Sequence, residues 1–234
     1  MSDATLLKVE DLRFAWPGQP LLLDIPALQL ARGERLFLKG PSGSGKTTLL
    51  GLLGGVQVPR QGRIVLLGQS LPAVGAAGRD QLRADHCGFI FQQFNLLPFL
   101  SVRENVELAC RFSALRRQRA SQRHGSVRAA AANLLDALGL APELQRLPAG
   151  SLSIGQQQRV AAARALIGQP ELVIADEPTS ALDADSRAAF LELLFGECRA
   201  AGAALLFVSH DQSLAGHFDR SLSLAELNRA GAAA

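Results

Sequence analysis

The stretch that most limits what this chain can become is RLFLKGPSGSGKTTLLGLL, residues 35–53. Arg35–Lys39 has the apolar content of a short buried strand, and Lys46–Gly54 suits a helix closed by the Gly54–Gly55 pair. Between them, Gly40 to Thr47 reads G-x-x-x-x-G-K-[ST] in full. Gly40, Pro41, Ser42, Gly43, Ser44 and Gly45 form a loop with little side chain, so successive backbone N–H groups can curl around phosphate oxygens. The helix that follows adds its positive N-terminus. Lys46 then reaches the β- and γ-phosphates, the Thr47 hydroxyl ligates Mg2+, and Thr48 completes the nucleotide-binding turn. A strand, an anion-binding loop and a helix in that order imply an α/β fold with its ligand at the carboxyl ends of the strands.

A second stretch supplies what the first lacks. Leu172–Glu177, LVIADE, is a buried-strand pattern that ends in two acids. It delivers carboxylates to the same kind of sheet edge as the phosphate loop. Asp176 is placed to hold Mg2+, directly or through water. Glu177, next in line, is placed to polarise an attacking water, because phosphoryl transfer mainly requires positioning and charge stabilisation.

The rest of the chain alternates strands and helices. Thr5–Val9, Leu21–Leu30, Ile64–Leu67, Gly88–Phe91 and Ala203–Val208 are strand candidates. Ser101 and Glu104 form a capping-box pattern that opens a helix, Ser126–Leu138 is a second, Gln156 to about Ile167 a third, and Asp185–Ala200 a fourth. Residues 114–128, ALRRQRASQRHGSVR, hold five arginines and no acid. They read as a solvated face or mobile connection, with a surface for acidic headgroups or a partner as the alternative. The tail NRAGAAA is expected to fray. The pattern is one domain over 1–234: a nucleotide-binding core from 1–91 and 161–234, interrupted by a helical insertion at 92–160.

Composition narrows the classes. With 48% hydrophobic and 19% charged residues, the 234-residue chain is globular rather than disordered. A net charge of +3 gives no case for a nucleic-acid partner. Cys87, Cys110 and Cys198 are odd in number and far apart, which suits buried free thiols better than a disulfide or zinc site. The start, MSDATLLKVE, lacks a signal-peptide pattern, and no apolar run approaches a bilayer span, so work at a membrane would need another chain to do the spanning.

The order of motifs resembles the ATP-binding subunits of ABC transporters over nearly the whole chain. Besides the phosphate loop and the LVIADE strand, FQQFNLLPFLSVRENV at 91–106 resembles the Q-loop. LSIGQQQRVAAARAL at 152–166 resembles the signature motif and its helix, SALD at 180–183 the D-loop, and VSHD at 208–211 the switch-histidine strand end. The resemblance implies a P-loop NTPase core of ABC type with an N-terminal antiparallel β subdomain and an inserted α-helical signature subdomain. It implies an ATPase in which Gln92 senses Mg2+ or the attacking water, His210 contacts the γ-phosphate and Trp16 stacks on adenine, with Phe14 as its rival. Two copies, or this chain and a paralogue, would pair head to tail. Ser153, Gly155 and Gln156 of one would then meet the ATP held by the other, and Asp183 would communicate across the dimer.

The implied partners are ATP, a second copy and an integral membrane permease, with a periplasmic or membrane-fusion accessory protein as a further one. The implied location is the cytoplasmic face of the inner membrane. The Q-loop sequence is most similar to the branch of macrolide exporters, lipoprotein-release ATPases and the cell-division ATPase, although Ser180–Ala181 stands where that branch has glycine–asparagine. Two other functions remain open: a non-transport ABC ATPase acting on nucleic acid or ribosomes, and a module that binds ATP but hydrolyses it poorly. The second is motivated by Ile154, which occupies a signature position where glycine is usual.

Overall fold

The computed structural model describes residues 5–41 and 43–230. Ser42 of the phosphate loop and the last four residues of the tail lie outside the described residues. The chain forms two compact units, Met1–Arg83 with Ala204–Ala234, and Ala84–Ala203. In the first, β1 (Thr5–Phe14), β2 (Leu23–Ala31), β4 (Gln61–Leu66) and β5 (Gln69–Ser70) make an antiparallel sheet in the order β2-β1-β4-β5. β1 alternates over its second half, burying Leu12 and Phe14 and exposing Asp11 and Arg13, as a sheet with one solvated face does. The same unit holds three parallel strands, β3 (Arg35–Lys39) between β8 (Ala204–Ser209) and β9 (Arg220–Ser223), with α1 (Lys46–Leu53) and α8 (Leu224–Leu227). β8 is buried along its whole length, and Phe37, Phe207 and Phe218 pack ring to ring beneath the sheet.

α2 (Ala76–His86) runs across the boundary between the units. The second unit pairs β6 (Cys87–Ile90) with β7 (Leu172–Asp176) in parallel and adds α3 (Val102–Phe112), α4 (Ala114–His124), α5 (Val127–Ala137), α6 (Ile154–Leu166) and α7 (Ala184–Ala201). The capping box at Ser101 and Glu104 is formed, and serine side chains also cap α4 and α5. α6 lies so close to β6 that a Cβ on Gly88 would sit 2.2 Å from the Ala165 carbonyl oxygen. Only glycine admits that approach. The three cysteines are free and buried, as their spacing suggested.

Two expectations fail. The arginine-rich segment is neither a mobile connection nor simply a solvated face: most of it is α4, and Arg116 is 3% exposed. Its guanidinium donates to the carbonyls of Ile167 (2.7 Å), Ala165 (2.6 Å), Arg164 (3.3 Å) and Cys87 (3.2 Å). Burial pushes it down from 12.5 to about 10, so it stays charged at neutral pH. A buried cation is tolerable there because these acceptors include the last carbonyls of α6, the negative end of that helix. Arg119 also turns inward, to Glu171 at 2.8 Å and the Gln169 carbonyl at 2.9 Å. Burial raises the Glu171 carboxyl, but hydrogen bonds from His86 and Arg119 outweigh it and hold the group down at about 2.

The tail is the second correction. Asn228 accepts from the Asp24 N–H and donates to the Leu22 carbonyl, and the Arg229 N–H bonds the Asp24 carbonyl, so the described part of NRAGAAA is tied to β2. The smaller differences are at element ends. β4 starts at Gln61, and α6 starts at Ile154 because its cap is Ser153.

Replacing Arg116 by Met keeps the volume and removes the guanidinium from four carbonyls. The expected outcome is a loss of ~3 kcal/mol in urea unfolding. Arg117→Met, one position along on the exposed face, is expected to cost less than about 0.5 kcal/mol.

Candidate nucleotide site

In the unit built from both chain ends, the phosphate loop follows β3 directly. α1 opens at Gly45, whose φ of 92° is in the left-handed region. A side chain there would be strained, and its Cβ would meet Leu23 Cδ2 at 3.0 Å. The N-cap Gly45 makes no side-chain cap bond, and the first-turn N–H groups of a helix suit an anion. Lys46, mostly buried, donates to the carbonyls of Gly40 (2.8 Å) and Pro41 (3.0 Å) and so lies along the loop it serves. The Ser44 hydroxyl is buried with no hydrogen-bond partner among the described residues, and a Cβ at Gly40 would strike it at 2.9 Å. Thr47 is exposed and Thr48 half-buried beside it.

His210 follows β8, whose last residue, Ser209, pairs with Lys39 at the end of β3. His210 is exposed, so the histidine and the phosphate loop leave neighbouring parallel strands at the same edge. Trp16 belongs to this unit too. It is 41% exposed and stands edge-on to Phe14, with ring centroids 5.1 Å apart. Phe14 is buried, so of the two aromatics only Trp16 offers a face to a ligand. The chain after it, at Leu22 and Leu23, is the wall against which Gly45 packs.

The second unit carries the other motifs. Ile90 pairs with Ala175, so Gln92 and the Asp176–Glu177 pair emerge at the same edge of β6 and β7. Glu177 is buried and holds a φ of 48°, a strained value for a non-glycine residue and one that recurs at functional sites. Gln92 is exposed, and the turn beyond it also strains its backbone, with φ of 58° at Phe94 and 49° at Asn95. Arg164 of α6 holds that turn by donating to the carbonyls of Phe94 and Asn95. Asn105, fully buried, donates to the carbonyls of Leu97, Leu100 and Ser101 and accepts from the Leu97 N–H. Sequence reasoning missed both residues. For Asn105 the signal was a lone polar side chain among the buried Val102, Val106 and Cys110 of α3.

At the other end of α6, Ser153 and Gln156 form a capping box. Ser153 Oγ accepts from the Gln156 N–H at 3.3 Å, and Gln156 Oε1 accepts from the Ser153 N–H at 2.9 Å. The serine keeps its own O–H to donate elsewhere. Ile154 is 54% exposed in the first turn. Asp183 caps α7 through the Ser186 N–H and hydroxyl, and these bonds hold its carboxyl below the usual range. The signature turn and the D-loop share a cavity of about 320 Å3 lined by Ser153, Gly155, Gln156, Leu182 and Ser186.

These elements are those of one family. The model of the ABC transporter family matches residues 23–180. An uncharacterized ABC transporter ATP-binding protein of Escherichia coli K12, YbbA, is 44% identical over 197 residues, covering 84% of this chain and 83% of that protein. The lipoprotein-releasing system ATP-binding protein LolD of Pseudomonas fluorescens is 38% identical over 229 residues, 97% of each chain. A solved dimer of the ATP-binding cassette MJ0796, in a post-hydrolysis state with ADP and Pi, aligns at a TM-score of 0.80 and 29% identity, covering 96% of this chain and 95% of that one. The chain belongs to the ABC transporter family, and within it is an ATP-binding, ATP-hydrolysing subunit.

Removing the Arg164 guanidinium should loosen the strained turn without unfolding the unit. In Arg164→Met, hydrogen exchange at residues 93–97 is expected to rise at least tenfold. Exchange within β7 is expected to stay as in the parent chain.

Proposed function

We propose that two copies of this chain close on two ATP molecules and that hydrolysis lets them part, energising a separate membrane permease. The observation that carries the reading is the signature turn. Ser153 and Ile154 are exposed at a helix N-terminus whose N–H groups suit a phosphate, and the phosphate loop is already formed by other residues. An interface that sets one copy's turn against the other's phosphate loop closes by two-fold symmetry. The MJ0796 cassette is a precedent for a dimer in this family.

Each residue then has a task. The backbone of Gly40–Gly45 cradles the phosphates, and Lys46 trades its two carbonyl partners for phosphate oxygens. Glu177 orients the attacking water, Gln92 and His210 line the γ-phosphate, and Trp16 stacks on the base. Ser153, Gly155 and Gln156 act on the other copy's ATP, with Asp183 beside them. The helical subdomain over 92–160 carries that turn.

Mg2+ fits the donors available. The Thr47 hydroxyl, the Asp176 carboxylate and the Gln92 carbonyl are all hard oxygens. Among the described residues no group of three or more His, Cys, Asp or Glu could hold a metal by itself. That suits an ion bound through one carboxylate and the substrate's phosphates. When bound, the ion would neutralise charge on the β- and γ-phosphates.

No helix of the described residues is long and apolar enough to cross a membrane. Attachment through a permease on the cytoplasmic face is therefore part of the proposal, and the likeness to LolD favours a lipoprotein-release type of partner over an importer.

Complementation tests the shared site. Lys46→Ala and Ser153→Arg chains are each expected to be nearly inactive as ATPases. Mixed in equal amounts they should recover about a quarter of the parent rate, because random pairing puts half of the chains in mixed dimers with one intact site of two. No recovery, with both variants folded, would contradict a site shared between copies.

A further inference from the structure

One cavity is lined by none of the nucleotide-site residues named above. It holds about 260 Å3 between α4, α5, α7 and the turn that follows α6. It exists because the residues around it are small: Ala120, Ala130, Ala137, Ala200 and Ala201 leave space that leucines would fill. It opens to solvent past Ala137 and Ala200, which are exposed. The volume is just under the range of drug-sized sites, so its occupant is small. Leu134, Leu166 and Ile167 give it an apolar floor.

Two charged side chains face this space without being paired. Arg123 of α4 reaches across to α7, where its one hydrogen bond among the described residues is a long contact of 3.5 Å with the Ala200 carbonyl. Glu197 stands on α7 one turn earlier, half-buried, and among the described residues neither it nor Arg123 has an ion-pair partner. Burial pushes the Glu197 carboxyl up, and the charge of Arg123 only partly offsets this. The other polar groups nearby are engaged: Arg119 with Glu171 and the Gln169 carbonyl, His124 with Asn133. The lining therefore offers one cation from α4 and one anion from α7, both facing the same space.

We propose that this cavity binds a small zwitterion with an aliphatic body, of the free α-amino acid class, its carboxylate on Arg123 and its ammonium on Glu197. A simple anion would meet Glu197 and a simple cation would meet Arg123. A hydrocarbon would leave the half-buried carboxylate unpaired, at a desolvation cost. A zwitterion gives each side chain a charge-assisted hydrogen bond, and its apolar side chain covers the leucine floor. The ligand would also touch the C-terminal turn of α6, the helix whose first turn carries the signature residues.

The test is calorimetry and thermal shift on the full chain with free amino acids at neutral pH. An aliphatic amino acid is expected to bind saturably and raise the Tm. Arg123→Gln and Glu197→Gln should each weaken it at least tenfold, and Ala200→Leu should abolish it by filling the space, while ATP binding is unchanged in all three. The matching deamino acid and the matching decarboxylated amine should bind at least tenfold more weakly than the amino acid. Absence of binding by any amino acid overturns the proposal. So does equal binding of the deamino acid, which would mark an anion site only, or parent-like binding by both charge variants.

Discussion

The placement of α6 is the constraint on which the second unit depends. Three contacts fix it. Gly88 lets the helix approach β6 to a distance no side chain would allow. Arg116 gathers the carbonyls at its C-terminal end, and Arg164 ties its inner face to the carbonyls of the Gln92 turn. The two arginine contacts give backbone carbonyls a charged donor, and buried carbonyls are costly to leave unsatisfied. The same helix presents the signature turn at its other end. The local consequence is that Gln92, the Asp176–Glu177 edge and the signature turn belong to one packed body.

The ligand chemistry follows from backbone more than from side chains. α1 begins without a side-chain cap, α6 begins with a serine that retains a donor, and both helix N-termini favour negative charge. The strained φ values at Glu177, Phe94 and Asn95 sit at the strand edges where phosphate chemistry is expected. An ATP-bridged dimer gives each of these features a use, and it does so without any transmembrane helix in the described residues.

What could be read in advance divides along a physical line. Signals written in consecutive residues were legible: the glycine loop, the acidic strand end, and the capping box at Ser101. Ile154 is an instance of how little a single letter disturbs them, because the helix still starts at its cap. Contacts between distant residues were not legible. Arg116 looks like any arginine of a charged run, and its burial depends on carbonyls 29 and about 50 positions away. α2 buries only Leu82, so it carried no apolar period to detect. Asn228 gave no sign of the bonds that hold the tail to β2.

The central claim is that ATP itself joins two copies of this chain. Glu177→Gln should retain ATP binding while stopping hydrolysis, so the joined state should accumulate. Light scattering after size exclusion, with Mg2+ and saturating ATP, should give twice the mass of the 24.8 kDa chain, reverting to one copy with ADP. A variant that binds ATP normally and still elutes as a single copy would contradict the account.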